Sequence, residues 1–217
     1  MQTDRPPDET LRPALEALAA RDADFGRAYA HCGLPPERRR PTGFAGLLSI
    51  MTAQQVSAQA ARAIIGRLLA AADPLTPERF LALDEADFKR IGFSRQKIRY
   101  GRALAEDVLA GRIDLESVAR MDDEAAIEHL SQVKGVGRWT AEIYLLFALR
   151  RPDVWPVDDL AVCAAVQRLK GLEARPPREA MLALGEPWRP HRSAAARFLW
   201  HFYHHPGVPD PADTKGP

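Results

Sequence analysis

Three groups of residues in this chain have types and spacings suited to chemistry. The first is Lys134-Gly135-Val136-Gly137-Arg138. Two glycines around one apolar residue permit a tight turn and a close backbone approach. Val136 can plug such a turn into the core. The N–H groups around Gly135, Gly137 and the next helix start then point outward, where a phosphate can accept them. Lys134 and Arg138 add charge at the same place. A phosphate contact of this kind is independent of base sequence. The plainer alternative is a helix–helix turn in which the glycines are C-cap and connector. The second group is Asp158-Asp159, placed after the helix-stopping Pro156 and where a new helix begins. A carboxylate there sits near the positive end of the helix dipole. One aspartate is enough for a cap, which leaves the other for electrostatic or acid–base work. The third group, His201, His204 and His205, has a spacing that suits a metal ligand set. Its place at a helix C-terminus, where the dipole favours histidine, is the simpler explanation.

Helices must position all of these. Ala61, Ile64, Ile65, Leu68 and Leu69 share one helical face, with Gln59, Arg62 and Arg67 opposite. Leu104, Ala105, Val108 and Leu109 repeat the pattern, as do Ala195, Ala196, Leu199, Trp200 and Tyr203. Thr76-Pro77-Glu78 is a cap, a first-turn proline and a first-turn acid. Ser94 is expected to cap a helix running to Ala110, Asp122 one running to about Val133, and Pro176-Pro177 to precede a helix over 178–184. Gln54 and Gln55 are unusual within an apolar helix. They face either a ligand groove or solvent. Arg95, Lys97 and Arg99 form a basic face that either reaches a phosphate or is simply solvated. No pair of strands is evident, so the fold class is all-α, with roughly ten closely packed helices. Residues 1–10 and 206–217 are proline-rich and polar and are expected to fray.

Composition narrows the classes. A chain of 217 residues can bury a sizeable core in one or two lobes. No apolar run approaches a membrane span, and the N-terminus lacks the apolar core of a secretory signal, so a cytoplasmic, membrane-free protein is expected. Cys32 and Cys163 are the two cysteines, too few for a four-cysteine zinc or iron–sulfur site. The formal charge is +1, from 30 basic and 29 acidic residues. Any grip on nucleic acid must therefore come from local geometry rather than bulk charge.

The segment Gly135-Val-Gly-Arg-Trp-Thr-Ala141, then an apolar helix, then Trp155-Pro-Val-Asp-Asp-Leu-Ala161 resembles the helix-hairpin-helix DNA glycosylase superfamily. It is most similar to the alkylpurine branch, DNA-3-methyladenine glycosylase II. Gly46-Leu-Leu-Ser-Ile-Met-Thr-Ala-Gln-Gln-Val-Ser-Ala-Gln-Ala-Ala61, Ile91-Gly-Phe-Ser-Arg-Gln-Lys-Ile-Arg99 and the stretch from Glu186 to Trp200 extend the likeness in the same order. It covers about residues 42–204.

The resemblance implies two helical lobes with a cleft between them: 44–157 carrying the hairpin, and 1–43 with 158–217. It implies a monofunctional enzyme that excises alkylated purines, of the 3-methyladenine and 7-methylguanine type, from double-stranded DNA containing damaged bases; the competing readings are a glycosylase of other base specificity (uracil, mismatch or ethenoadenine) and a non-catalytic helix-hairpin-helix DNA-binding protein. The catalytic carboxylate would be Asp159, with Asp158 the competing assignment. Trp139 stands where bifunctional relatives carry a lysine nucleophile, so no Schiff base and no lyase step is expected. DNA contacts would come from Gln54, Gln55, Lys134, Gly135, Val136, Gly137, Arg138 and Thr140, with Gln55 at the position that wedges into the duplex. Trp139 and Trp200, and less so Tyr144, would wall the base pocket, since an indole face attracts a cationic base. Trp155 and Trp188 are expected in the core. No cofactor is implied beyond a monovalent cation at the hairpin carbonyls when DNA is bound, and a monomer is expected. Three departures from the larger relatives stand out: there is no room for their N-terminal β domain, Ile143 replaces a pocket tyrosine, and Gln55 replaces an aliphatic wedge.

Overall fold

The computed structural model describes residues 5–206. Two helices come first, α1 (Arg12–Arg21) and α2 (Ala23–Cys32). Eight follow: α3 (Gly43–Ala53), α4 (Ala58–Ala71), α5 (Pro77–Leu81), α6 (Glu85–Ile91), α7 (Arg95–Leu109), α8 (Leu115–Val118), α9 (Asp123–Ser131) and α10 (Arg138–Phe147). The last three are α11 (Leu160–Lys170), α12 (Arg178–Gly185) and α13 (Arg192–Tyr203). Among the described residues there is no strand, only an isolated bridge between Pro7 and Pro36. No helix there is long and apolar enough to cross a membrane. The caps predicted from sequence are in place. Thr76, Ser94 and Asp122 accept the N–H groups of Arg79, Lys97 and Ala125, satisfying donors that a helix start leaves unpaired.

The chain divides into two compact units, 40–150 and 1–39 with 151–217. The sequence expectation set these breaks at 44 and 157. Residues 151–157 go with the second set because Ser193 of α13 bonds Val154 and Pro152.

In the 40–150 unit, α3 is buried along most of its length, from Phe44 to Thr52. Phe44, Phe80, Phe88 and Phe93 cluster around it with ring centroids 5.3–6.1 Å apart. Gly101 lets α7 approach this cluster, since a Cβ there would lie 2.5 Å from Phe80. In the other unit, α11 packs on α13, and Phe25 meets Phe198 at 4.7 Å and Trp188 at 5.8 Å. Burying each such ring contributes about 2–3 kcal/mol. Trp155 also lies in this core, its indole N–H donating to Met181 O (2.8 Å).

The N-terminal segment corrects one expectation. Residues 6–10 are held, not frayed. Asp8 is buried and ion-paired with buried Arg197, and the N–H groups of Asp8 and Glu37 donate to Pro35 and Pro6. A proline-rich stretch reads as loose only until a distant partner for its charge is known. Residues 207–217, also expected to fray, lie outside the described residues.

Candidate functional site

The hairpin joins α9 to α10. Gly135 has φ +91°, a conformation only glycine adopts cheaply, and the Tyr100 ring fills the space a Cβ would need. Val136 is buried, as a plug must be. Gly137 caps α10 with extended backbone, and a Cβ there would meet nothing within 4 Å, so this backbone faces open space. The first N–H groups of α10 are thus directed outward at the positive end of the dipole. Lys134 is exposed beside them.

Arg138, expected to contact DNA, is bonded to two acids of this chain. Its Nη atoms bond Glu124 (2.6 and 2.9 Å) and its Nε bonds Glu142 (3.0 Å). The Glu124 bonds, ahead of the Glu142 charge, push its pKa up. That positive charge is compensated within the protein, and Lys134 is the cation the hairpin presents. Gln54, expected to face a groove or solvent, is half-buried and bonds within the chain. Its Nε2 donates to Gly135 O (3.1 Å) and Thr140 Oγ1 (2.8 Å), so it ties the end of α3 to the hairpin. Thr140 is correspondingly buried. Gln55 is exposed at the turn between α3 and α4, with φ +57°. Lys97, read from sequence as part of a basic face that either reaches a phosphate or is solvated, has its ammonium bonded to Thr52 O (2.7 Å) and Gln54 O (2.8 Å). The Arg95 and Arg99 side chains remain on the exposed face of α7.

The hairpin carbonyls of Leu130, Val133 and Gly135 accept N–H groups from Val133, Val136 and Gln54. Each keeps a second lone pair, and several carbonyl oxygens of one turn are a donor set that suits a monovalent cation.

Asp159 and Asp158 go to different fates. Asp159 is 7% exposed, and its Oδ1 accepts Ala161 N (3.0 Å), Val162 N (2.9 Å) and Trp200 Nε1 (3.0 Å). Asp158 is exposed and ion-paired with Arg178. Of the two aspartates, Asp159 is the one that caps α11, and it is also the buried, oriented carboxylate. Its negative charge is felt nearby. Cys163 is pushed up, first by burial and then by Asp159.

The aromatic candidates separate as well. Trp200 is buried edge-on to Asp159 as a donor, while Trp139 is 38% exposed at the start of α10. Tyr144 is fully buried, its hydroxyl oxygen accepting Gly43 N–H (2.8 Å), so it belongs to the core and presents no face to a base. Ile143 is buried too. Leu160, next to Asp159, is 68% exposed and escaped the sequence reading. An apolar residue at a helix start carries no local signal of its exposure. His201 Nε2 lies 3.0 Å from Cys32 O, and no group of three His, Cys, Asp or Glu among the described residues could hold a metal. Burial pushes the Cys32 thiol up to about 11, which makes it a poor nucleophile at neutral pH.

A buried carboxylate oriented by neutral N–H donors can stabilise developing positive charge or orient a water. A glycine hairpin with outward amides can hold a phosphate. Residues 48–190, which contain both, match the family model described as HhH-GPD superfamily base excision DNA repair protein. The chain belongs to this superfamily.

Within the HhH-GPD superfamily, the chain is 35% identical over 168 residues to DNA-3-methyladenine glycosylase 1 of Schizosaccharomyces pombe, covering 76% of this chain and 73% of that protein. The fold matches that of a 3-methyladenine DNA glycosylase from the same yeast, solved in complex with abasic DNA. The TM-score is 0.79 at 33% identity, over 87% of this chain and 95% of that one. A DNA-3-methyladenine glycosidase from Bacillus halodurans matches with a TM-score of 0.77 at 29% identity, over 89% and 90% of the two chains.

Proposed function

We propose that this protein is a monofunctional DNA glycosylase that hydrolyses the N-glycosidic bond of alkylated purines in duplex DNA, as a step of base excision repair. The observation that carries the proposal is Asp159: a buried carboxylate whose Oδ1 is aimed by two backbone amides and an indole, inside the segment that matches the family. The names of its relatives supply the substrate class.

A base inside a duplex must leave the stack before its glycosidic bond is reachable. The amides of the hairpin and Lys134 would hold the backbone by phosphate contacts, and Gln55 would occupy the vacated space. Purines alkylated at N3 or N7 are cationic, so the leaving base takes the bonding electron pair and departs neutral without prior protonation. The exposed indole of Trp139 suits such a cationic base. As the bond breaks, positive charge develops on the sugar, and ionised Asp159 would stabilise it. Water then adds at the sugar carbon and loses a proton, which Asp159 can accept. The products are a free base and an abasic site. Trp139 offers no amine for a Schiff base, consistent with hydrolysis alone. A monovalent cation at the hairpin carbonyls would add positive charge for a phosphate.

Base release from methylated duplex by wild type, Asp159→Asn and Asp158→Asn tests this reading. Wild type is expected to liberate methylpurines, Asp159→Asn to be at least about a hundredfold slower, and Asp158→Asn to stay near wild type. An undiminished rate for Asp159→Asn overturns the proposal.

A further inference from the structure

The glycosylase reading gives Gln55 and the hairpin separate tasks, one filling the gap in the stack and the other holding the backbone. The structure joins them through two side chains that bond to the protein's own backbone and to Thr140. Lys97, on the first turn of α7, places its ammonium 2.7 Å from Thr52 O and 2.8 Å from Gln54 O. These carbonyls end α3, where no intrahelical donor reaches them. Gln54 continues the link, its Nε2 reaching Gly135 O at 3.1 Å and Thr140 Oγ1 at 2.8 Å across the sequence. Between these anchors Gln55 has φ +57°, a left-handed conformation that a residue with a Cβ holds only when its surroundings enforce it. Apolar packing does not fully enforce it. A cavity of about 330 Å³ lies against the turn, lined by Met51, Gln55, Val56, Lys97 and Tyr100 among others. With that side open, the polar links from Lys97 and Gln54 are the main restraint on the turn. Tyr100, three residues after Lys97, also packs on Gly135, so α7 touches both ends of the linkage.

We propose that Lys97 and Gln54 are positioning residues: they hold Gln55 preset in its left-handed conformation and lock its turn to the hairpin, so that the gap-filling side chain and the phosphate-holding amides act as one body during base extrusion. This rests on the glycosylase reading. The contribution is to extrusion and not to bond cleavage, because the residues linked contact the helix stack and backbone in that reading while Asp159 serves the sugar. Rigid linkage matters most when extrusion is costly, at a fully paired base, and least when the base already lacks a partner. Lys97 suits the task because an ammonium donates to two carbonyls at once. Partial burial also lowers its pKa, as expected for an ammonium held against backbone.

The test compares single-turnover release of 7-methylguanine placed opposite cytosine and opposite an abasic site. Lys97→Met is expected to slow release about tenfold opposite cytosine, with most of that loss recovered opposite the abasic site. Lys97→Arg, whose guanidinium can donate to both carbonyls, is expected to restore the paired substrate. Gln54→Ala, with Lys97 intact, is expected to show the same dependence on pairing and provides the test should Lys97→Met fold poorly. A loss that is equal on both substrates, or no loss on either, overturns the proposal. Wild type that releases base from neither substrate overturns the glycosylase reading and this inference with it. Wild type that is active beside pairing-independent variants overturns the inference alone.

Discussion

Asp22 and Asp159 begin from the same local arrangement and end in different roles. Each caps a helix, Asp22 with Oδ1 accepting Asp24 and Phe25 amides at 3.1 and 3.2 Å, Asp159 with Oδ1 accepting Ala161 and Val162 amides at 3.0 and 2.9 Å. Each also takes an indole N–H, from Trp188 at 2.9 Å and from Trp200 at 3.0 Å. The difference is Lys170, whose ammonium lies 2.7 Å from both oxygens of Asp22. A full positive charge at contact distance makes Asp22 part of an ion pair that ties α11 to the start of α2. On Asp159, Oδ1 takes two backbone amides and the Trp200 indole, donors that orient a carboxylate. Capping plus an indole is common to both sites, and the Lys170 ammonium, brought in from elsewhere in the fold, makes the Asp22 site a fastening.

The contrast can be broken by exchanging readouts. Asparagine caps a helix about as well as aspartate. Asp159→Asn should therefore lose base release at least about a hundredfold while its melting temperature stays within a degree or so of wild type. A large fall in melting temperature would mean that Asp159 is a fastening too. Asp22→Ala should do the reverse. Loss of the cap and of the ion pair, with Lys170 left to Asp24 alone, costs about 1–3 kcal/mol, visible as a lower denaturation midpoint, with base release per folded molecule preserved. Loss of activity without loss of stability would place Asp22 with the chemistry.

Smaller effects sharpen the same comparison. Trp200→Phe removes one donor from Asp159 and should slow release about tenfold, the scale of one hydrogen bond to a charged group. Trp188→Phe should lower stability without that slowing. The smallest effect concerns pH. Burial raises the Asp22 pKa, but bonds from Lys170 and Trp188 outweigh it and hold the carboxyl below its ordinary 3.8. A depressed folded-state pKa gives stability that is present above the unfolded value and is lost as pH falls through the folded one. Melting temperature should therefore drop below about pH 3.8, and the drop should be shallower in Asp22→Asn. Equal slopes for the two proteins would mean that Asp22 is not the titrating fastening.

What could be read from the amino acids alone was set by interactions that span three or four residues. Ser94, Asp122 and Thr76 each announce a helix start because the donor they satisfy is close along the chain. Gly135 and Val136 announce a hairpin because backbone conformation and an apolar plug are local requirements. The pair at 158 and 159, following Pro156, marked a carboxylate at a helix start for the same reason. Tertiary structure decided which charges survive to act. Arg138 looks open to a phosphate until Glu124 folds against it, Gln54 looks solvated until Gly135 comes within reach, and the proline-rich stretch around Asp8 looks loose until Arg197 meets it. Asp22 becomes an ion pair through Lys170, a partner far along the chain. A hydrogen bond or ion pair depends on distances of a few ångströms, and for residues far apart in sequence only the packing of helices sets those distances.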